Sequence, residues 1–366
     1  MKKYFLFEHL LIIIFVMIIF SYSAIAHDIK LGGQLNTSLT GFYNHQLGFG
    51  YIPQANLDLE LFLPPENNNE IKCAGYFYIN IAEERVDFFW KKLYWKHRFD
   101  NFHLTIGRQP ISWSFGSLLN PVDYSLGAVA LDRDYNVKFQ DALEIYYPIN
   151  WHTSLSLLIS SPGGNREDLK VGFRGRTLIN DFDVTVNFVQ EQLMANDSNQ
   201  QRFGITAKGD IGQLGVYGAL GYYRNEVNSF SLLAGADYSY FFQAGNQLYF
   251  QAEYLNIFPE ILSQITGSMM AAQLEGKDKN IHLLVSNASY QIDEFSSIGL
   301  TSFYNLSDNA ILFMPTYSNQ INTNTTLEIQ AGIRMESIKE SDLKSLKSIA
   351  GTPAHIFVEI GINYAF

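Results

Sequence analysis

The residues with the clearest capacity for chemistry are charged side chains spaced two apart. Lys170, Arg174 and Arg176 alternate with Leu169, Val171 and Phe173, and Lys92, Lys96 and Arg98 alternate with Leu93, Trp95 and Phe99. Acidic counterparts sit in similar runs: Asp58 and Glu60 among Leu57, Leu59 and Leu61, Glu328 beside Leu327 and Ile329, and Glu359 between Val358 and Ile360. In an extended strand, residues two apart share a face, so each run has one charged and one apolar side. Such charges suit recognition of polar or ionic solutes more than covalent catalysis. Set on opposite sides of an aqueous space, they would impose a transverse field on a passing solute. Paired with one another, they would only satisfy buried charge. Both readings stand at this point.

Other chemistry finds little support. The sequence has no G-x-S-x-G, H-E-x-x-H or phosphate-binding loop. His97, His103, His152, His282 and His355 are scattered. Asp132, Asp134 and Asn136 imitate the start of a calcium loop, but Val137 replaces the required Gly and Leu143 replaces the bidentate Glu. No metal and no cofactor is expected. A single cysteine, Cys73, excludes an intrachain disulfide. The formal charge of −11 argues against a nucleic-acid partner, which requires concentrated basic surface. With 28 Phe, 22 Tyr and 27 Gly but only 17% charged residues in 366, the chain is β-rich with a large apolar surface.

These faces must be held by strands, and the chain supplies them after a processing segment. Lys2 and Lys3 precede an apolar run from Leu10 to Phe20, followed by Ala24-Ile25-Ala26, which reads as a signal peptide over residues 1–26 cleaved before His27. From there to residue 366, period-two alternation recurs in about eighteen candidate strands, with sixteen as the alternative count. The second begins near Gln54, the sixth near Ala142 and the tenth near Arg202. Connections alternate in kind. Phe99-Asp100-Asn101 and Asn180-Asp181 are short, whereas 110–141, 193–201, 257–280 and 336–354 are long. Ile261, Ile265 and Met269, and then Leu343, Leu346 and Ile349, suggest short amphipathic helices in two of the long ones. Gly209, Gly212, Gly215, Gly218 and Gly221 ease a tight hairpin. Short turns at one end and long loops at the other predict an all-β transmembrane antiparallel barrel. So many strands enclose more space than side chains fill, so the polar faces should line a water-filled lumen.

The ending Ile356, Val358, Ile360, Ile362, Tyr364, Phe366 resembles the C-terminal signal by which bacterial outer-membrane barrels are recognised for insertion, which implicates Tyr364 and Phe366 in assembly. A second resemblance lies at the head of the longest loop. Gly107, Arg108, Gln109, Ile111 and Trp113, then Asn120, Pro121 and Asp123, are similar to a pattern of alginate-export-like and porin-type barrels. Pro110, and Ser114 in place of a Gly, depart from that pattern. Pro121 after Asn120, together with Gly116, lets this loop, 110–141, fold back into the pore. Strict alternation with Phe102, Leu104 and Ile106 puts Arg108 on the lipid side near lipopolysaccharide phosphate, unless a bulge turns it inward. The resemblances imply a bacterial outer-membrane channel, not an enzyme, for diffusion or export of small hydrophilic or anionic solutes. Its expected partners are outer-membrane lipid and lipopolysaccharide, the barrel-assembly machinery, a small polar solute and further copies of itself. An outer-membrane hydrolase and a surface adhesion or structural barrel are the alternatives.

Overall fold

The computed structural model describes residues 29–44, 48–81, 84–111, 113, 139–161, 169–193, 198–224, 228–242, 245–257, 280–307, 310–336 and 356–366. Alternation along the chain becomes eighteen strands. They are β1 (Lys30–Asn44), β2 (Gly48–Phe62), β3 (Asn69–Asn80), β4 (Arg85–Arg98), β5 (His103–Pro110), β6 (Phe139–Pro148), β7 (Thr153–Ser160), β8 (Leu169–Ile179) and β9 (Phe182–Leu193). The second half holds β10 (Ser198–Ile211), β11 (Leu214–Arg224), β12 (Asn228–Phe241), β13 (Gln247–Ile257), β14 (Ile281–Gln291), β15 (Ser296–Asn305), β16 (Ala310–Asn322), β17 (Thr325–Glu336) and β18 (Ile356–Ala365).

Each strand pairs antiparallel with the next, and β1 pairs with β18 from Gln34 opposite Ala365 to Tyr43 opposite Ile356. The sheet is therefore closed. Closure leaves no edge whose backbone groups would face lipid unpaired, each at a cost of several kcal/mol. The seam is bonded to its last residue: Gly33 and Phe366 each donate a backbone N–H to the other's carbonyl at 3.0 Å.

Outside, Leu31, Leu35 and Leu39 of β1 and Ile356, Val358, Ile360 and Ile362 of β18 are exposed, as an apolar belt in contact with lipid must be. Aromatic side chains ring both ends. Phe49, Tyr51 and Phe230 stand at the long-loop end, and Trp151, Phe241 and Phe295 at the short-turn end, where amphipathic and aromatic rings favour the membrane interface. The short turns carry their expected chemistry. Asn180 and Asp181 both take positive φ, 45° and 68°, in the two-residue turn between β8 and β9. Gly212, at φ 66°, makes the turn between β10 and β11 that the glycine spacing anticipated.

Three strands begin three or more residues earlier than alternation suggested. The second starts at Gly48, the sixth at Phe139 and the tenth at Ser198, so the connection expected at 193–201 shortens to 194–197. The reason is local. Gly48, Gly50 and Pro53 look like turn residues, yet they pair with Asn44, Phe42 and Leu39, because the partner strand supplies the register. Ser198 to Gln201 are polar on both faces, which erases the alternation signal. The signal segment, the two expected loop helices, and Asn120, Pro121 and Asp123 lie outside the described residues.

Candidate functional site: the lumen wall

One wall of the lumen is open. A cavity of about 960 Å³ runs along β17, β18 and β1 to β4, with Phe139 at the head of β6 also lining it. Its surface includes Asp58, Glu60, Glu328 and Glu359, the four acidic residues singled out from the sequence. The basic residues beside it do not stand opposite as a separate arc. Glu60, Ala74 and Lys92 are in register on β2, β3 and β4. The small Ala74 lets Lys92 Nζ reach across it to Glu60 Oε1 at 3.1 Å. Lys91 does the same one row along, lying 4.5 Å over the Tyr76 ring and bonding Asp58. Nearer the short-turn end, Arg98 Nη2 sits 2.7 Å from Glu70 Oε2.

Lys91 escapes a strict reading of alternation. In β4 the exposed apolar residues are Val86, Phe88 and Trp90 on one side of it, then Leu93 and Trp95 on the other, so the phase slips by one. The slip is a β-bulge opposite Ala74 and Gly75, and it turns both Lys91 and Lys92 inward. That change of phase was available in the sequence as the signal for a second inward lysine.

The opposite wall is filled. On β7, β9 and β12 to β14 the inward faces carry Leu158, Val189, Leu233, Leu255, Ile281 and Val285, each at most 2% exposed. This corrects the expectation of a uniformly polar lumen. Ile111 and Trp113, just beyond β5, leave the wall and bury with Ala142, Leu158 and Val189. The expected basic ladder of β8 lies on this side with local partners. Lys170 Nζ is 3.3 Å from Glu191 Oε2, which Arg202 also approaches at 3.7 Å. Arg176 Nη2 is 2.6 Å from Asp183 Oδ2. Glu144 of β6 lies within electrostatic reach of both Lys96 and Arg174. For these pairs the mutual-neutralisation reading describes the side chains better than opposed arcs.

A polar brace that the sequence reading missed crosses the same wall. Tyr217, Gly235 and Glu253 are in register on β11, β12 and β13. A Cβ on Gly235 would stand 2.3 Å from the Tyr217 ring, so only glycine lets the ring lie over β12. The Tyr217 hydroxyl then donates to Glu253 Oε1 at 2.5 Å and accepts from Gln251 Nε2 at 2.6 Å. Glu253 is 1% exposed, and the Tyr217 hydroxyl together with Gln251 Nε2, which also donates to Glu253 Oε1 at 3.1 Å, satisfies a carboxylate that burial would otherwise penalise. A tyrosine two strands from a carboxylate, with glycine between, carries no local sequence signature.

The described half of the loop motif is structural. Gly107 has φ 119°, and a side chain there would collide with the Leu93 carbonyl at 2.3 Å. Arg108 keeps the outward side, opposite the exposed Leu93. Its partners are protein groups: Nε donates to the Trp90 carbonyl at 2.5 Å, and Nη1 lies 3.3 Å from Asp141 Oδ2. Gln109 is buried and donates to the Ala142 carbonyl at 3.3 Å. Tyr364 and Phe366 stack on the lipid face with centroids 6.3 Å apart. Among the described residues no group of three or more His, Cys, Asp or Glu could hold a metal ion.

No family model matches the sequence, and no curated protein is significantly similar to it. Solved structures are similar in shape. Wzi of Escherichia coli, an outer-membrane protein involved in group 1 capsule assembly and described as a carbohydrate-binding β-barrel, is 13% identical and superposes with a TM-score of 0.59, covering 96% of this chain and 87% of its own. OpdK of Pseudomonas aeruginosa is 9% identical with a TM-score of 0.56, covering 93% and 98%. OccAB1 of Acinetobacter baumannii is 8% identical with a TM-score of 0.56, covering 93% and 97%. This is a bacterial outer-membrane barrel fold. The outer membrane is where a closed barrel with this apolar belt and two aromatic rings belongs.

Proposed function

We propose that the barrel is an outer-membrane channel for small hydrophilic solutes. The observation carrying this reading is the polar cavity of about 960 Å³ that follows one wall inside a closed barrel. The lumen-facing charges, Asp58, Glu60, Glu328 and Glu359 with Lys92, Lys96 and Arg98, tune passage along that wall. Lys170, Arg174 and Arg176 act mainly by holding the far wall together, since Lys170 and Arg176 have carboxylate partners within 3.3 Å and 2.6 Å. Residues 1–26 serve as the export signal, the strand ending in Tyr364 and Phe366 addresses the assembly machinery, and the loop at 110–141 narrows the lumen. The channel carries out no covalent chemistry.

Planar-bilayer recording of the purified, refolded protein tests this. Stepwise conductance in potassium chloride is expected, and a correctly folded, heat-modifiable protein with no conductance overturns it. Reversing Arg174 and Arg176 together to Glu is expected to enlarge conductance by loosening the far wall while moving the reversal potential little.

A further inference from the structure

The open wall is a mosaic of amides in register. Asn363, Asn36 and Asn56 lie side by side on β18, β1 and β2, and the row ends on Tyr78 of β3. All four line the cavity, together with Tyr76 and Glu359. An amide offers a carbonyl acceptor and two N–H donors, so a row of them presents both kinds of group at the strand spacing of nearly 5 Å. The Oδ1 of Asn56 is buried and has no hydrogen-bond partner among the described residues, so a donor is wanted at this point in the row. Two of the four cavity carboxylates, Asp58 and Glu60, already hold Lys91 and Lys92, so a charged solute must compete with an existing pair. A hydroxyl group does not, because it donates to a carboxylate or amide oxygen and accepts from an amide or ammonium at once.

We infer that this wall binds neutral, hydroxyl-rich solutes of the saccharide class, with Asn36, Asn56 and Asn363 as the specificity-determining residues and the ring of Tyr78 as an apolar flank for a sugar face. The size agrees: about 960 Å³ is at the upper end of small-ligand sites and holds more than one hexose ring. The inference rests on the channel reading only for its biological setting, since binding to the wall is measurable without transport.

Calorimetric titration of the detergent-solubilised protein with glucose, maltose and maltotriose tests it, with arginine and gluconate as cationic and anionic probes. Saccharide binding that strengthens with chain length is expected, with weaker or no response to either charged probe. Asn36→Ala with Asn56→Ala is expected to weaken maltotriose binding by roughly tenfold or more. Glu359→Gln, which keeps the shape, weakens it less, and Ser231→Ala on the far wall leaves it unchanged. Heat-modifiability shows that each variant is folded. Binding of arginine or gluconate in place of sugar overturns the inference, as does sugar binding that the Asn36 and Asn56 pair does not affect. Conductance without saccharide binding sinks this inference and leaves the channel reading intact. Saccharide binding without conductance does the reverse.

Discussion

The wall from β17 through β1 to β4 and the wall from β7 to β14 are built from the same antiparallel ladder, yet their inward faces have opposite fates. Along the first, Asn36, Asp58, Glu60 and Glu359 border open space. Along the second, Leu158, Leu233, Leu255 and Ile281 are buried almost completely. Period two assigns a side chain to a face, and it says nothing about what covers that face. One barrel can therefore carry a core on one side and a watercourse on the other. The filled wall resembles the interior of a soluble protein, where removing a methyl group leaves a cavity. The open wall is a surface, where water replaces whatever is removed.

That contrast is open to direct attack. The largest effect is expected from Leu255→Ala or Leu233→Ala, each losing about 2–5 kcal/mol of stability, against about 0.5 kcal/mol or less for Ser38→Ala on the open wall. Urea unfolding in lipid vesicles, followed by tryptophan fluorescence, measures both. Equal losses on the two walls would remove the distinction. Next comes the brace. Tyr217→Phe keeps the ring over Gly235 but takes away the hydroxyl that donates to Glu253, at a cost of about 1–3 kcal/mol for the buried carboxylate left short of a donor.

Smaller still is the Lys92 and Glu60 pair. Both side chains are about 30% exposed, so a double-mutant cycle with Lys92→Met and Glu60→Gln is expected to give a coupling of about 1 kcal/mol or less. A coupling of several kcal/mol would mean the open wall is as sequestered as the filled one. The smallest effect belongs to Asp293, in the turn between β14 and β15. Backbone hydrogen bonding, led by the Phe295 N–H at 2.8 Å, holds its carboxyl below the usual range. A depressed folded-state value gives stability that is present above the unfolded value of about 4 and lost as pH falls through the folded one. Asp293→Asn should therefore remove that contribution at neutral pH, leave stability well below about pH 4 little changed, and so flatten the acid limb of the profile.

Much of this architecture was legible in the sequence. The last strand's facing, from Ile356 to Phe366, follows directly from alternation, because its lipid-facing side is apolar throughout while its lumen-facing side holds Glu359, Gly361 and Asn363. The four cavity carboxylates were legible for the same reason. Alternation failed where its physical premise lapses. At Ser198 to Gln201 both faces are polar, and at Lys91 the bulge changes the face assignment. It also could not separate Leu158 and Leu233 from lipid-facing leucines, since burial inside a lumen and exposure to lipid demand the same apolar side chain. The Tyr217 brace depends on three strands meeting in register, a fact of tertiary structure with no counterpart along the chain.

The bulge at Lys91 makes strand β4 a parity switch. On one side of it, even-numbered residues look into the membrane. On the other, odd-numbered ones do. Straightening the bulge with Lys91 retained would force a single frame on the strand, so that, with Leu93 and Trp95 held toward lipid, the aromatic pair Phe88 and Trp90 would swing into the watercourse while Asp87 and Phe89 turned toward the acyl chains. The bulge thus absorbs the extra amino acid, keeping two independently written halves of one strand each aimed at the right solvent.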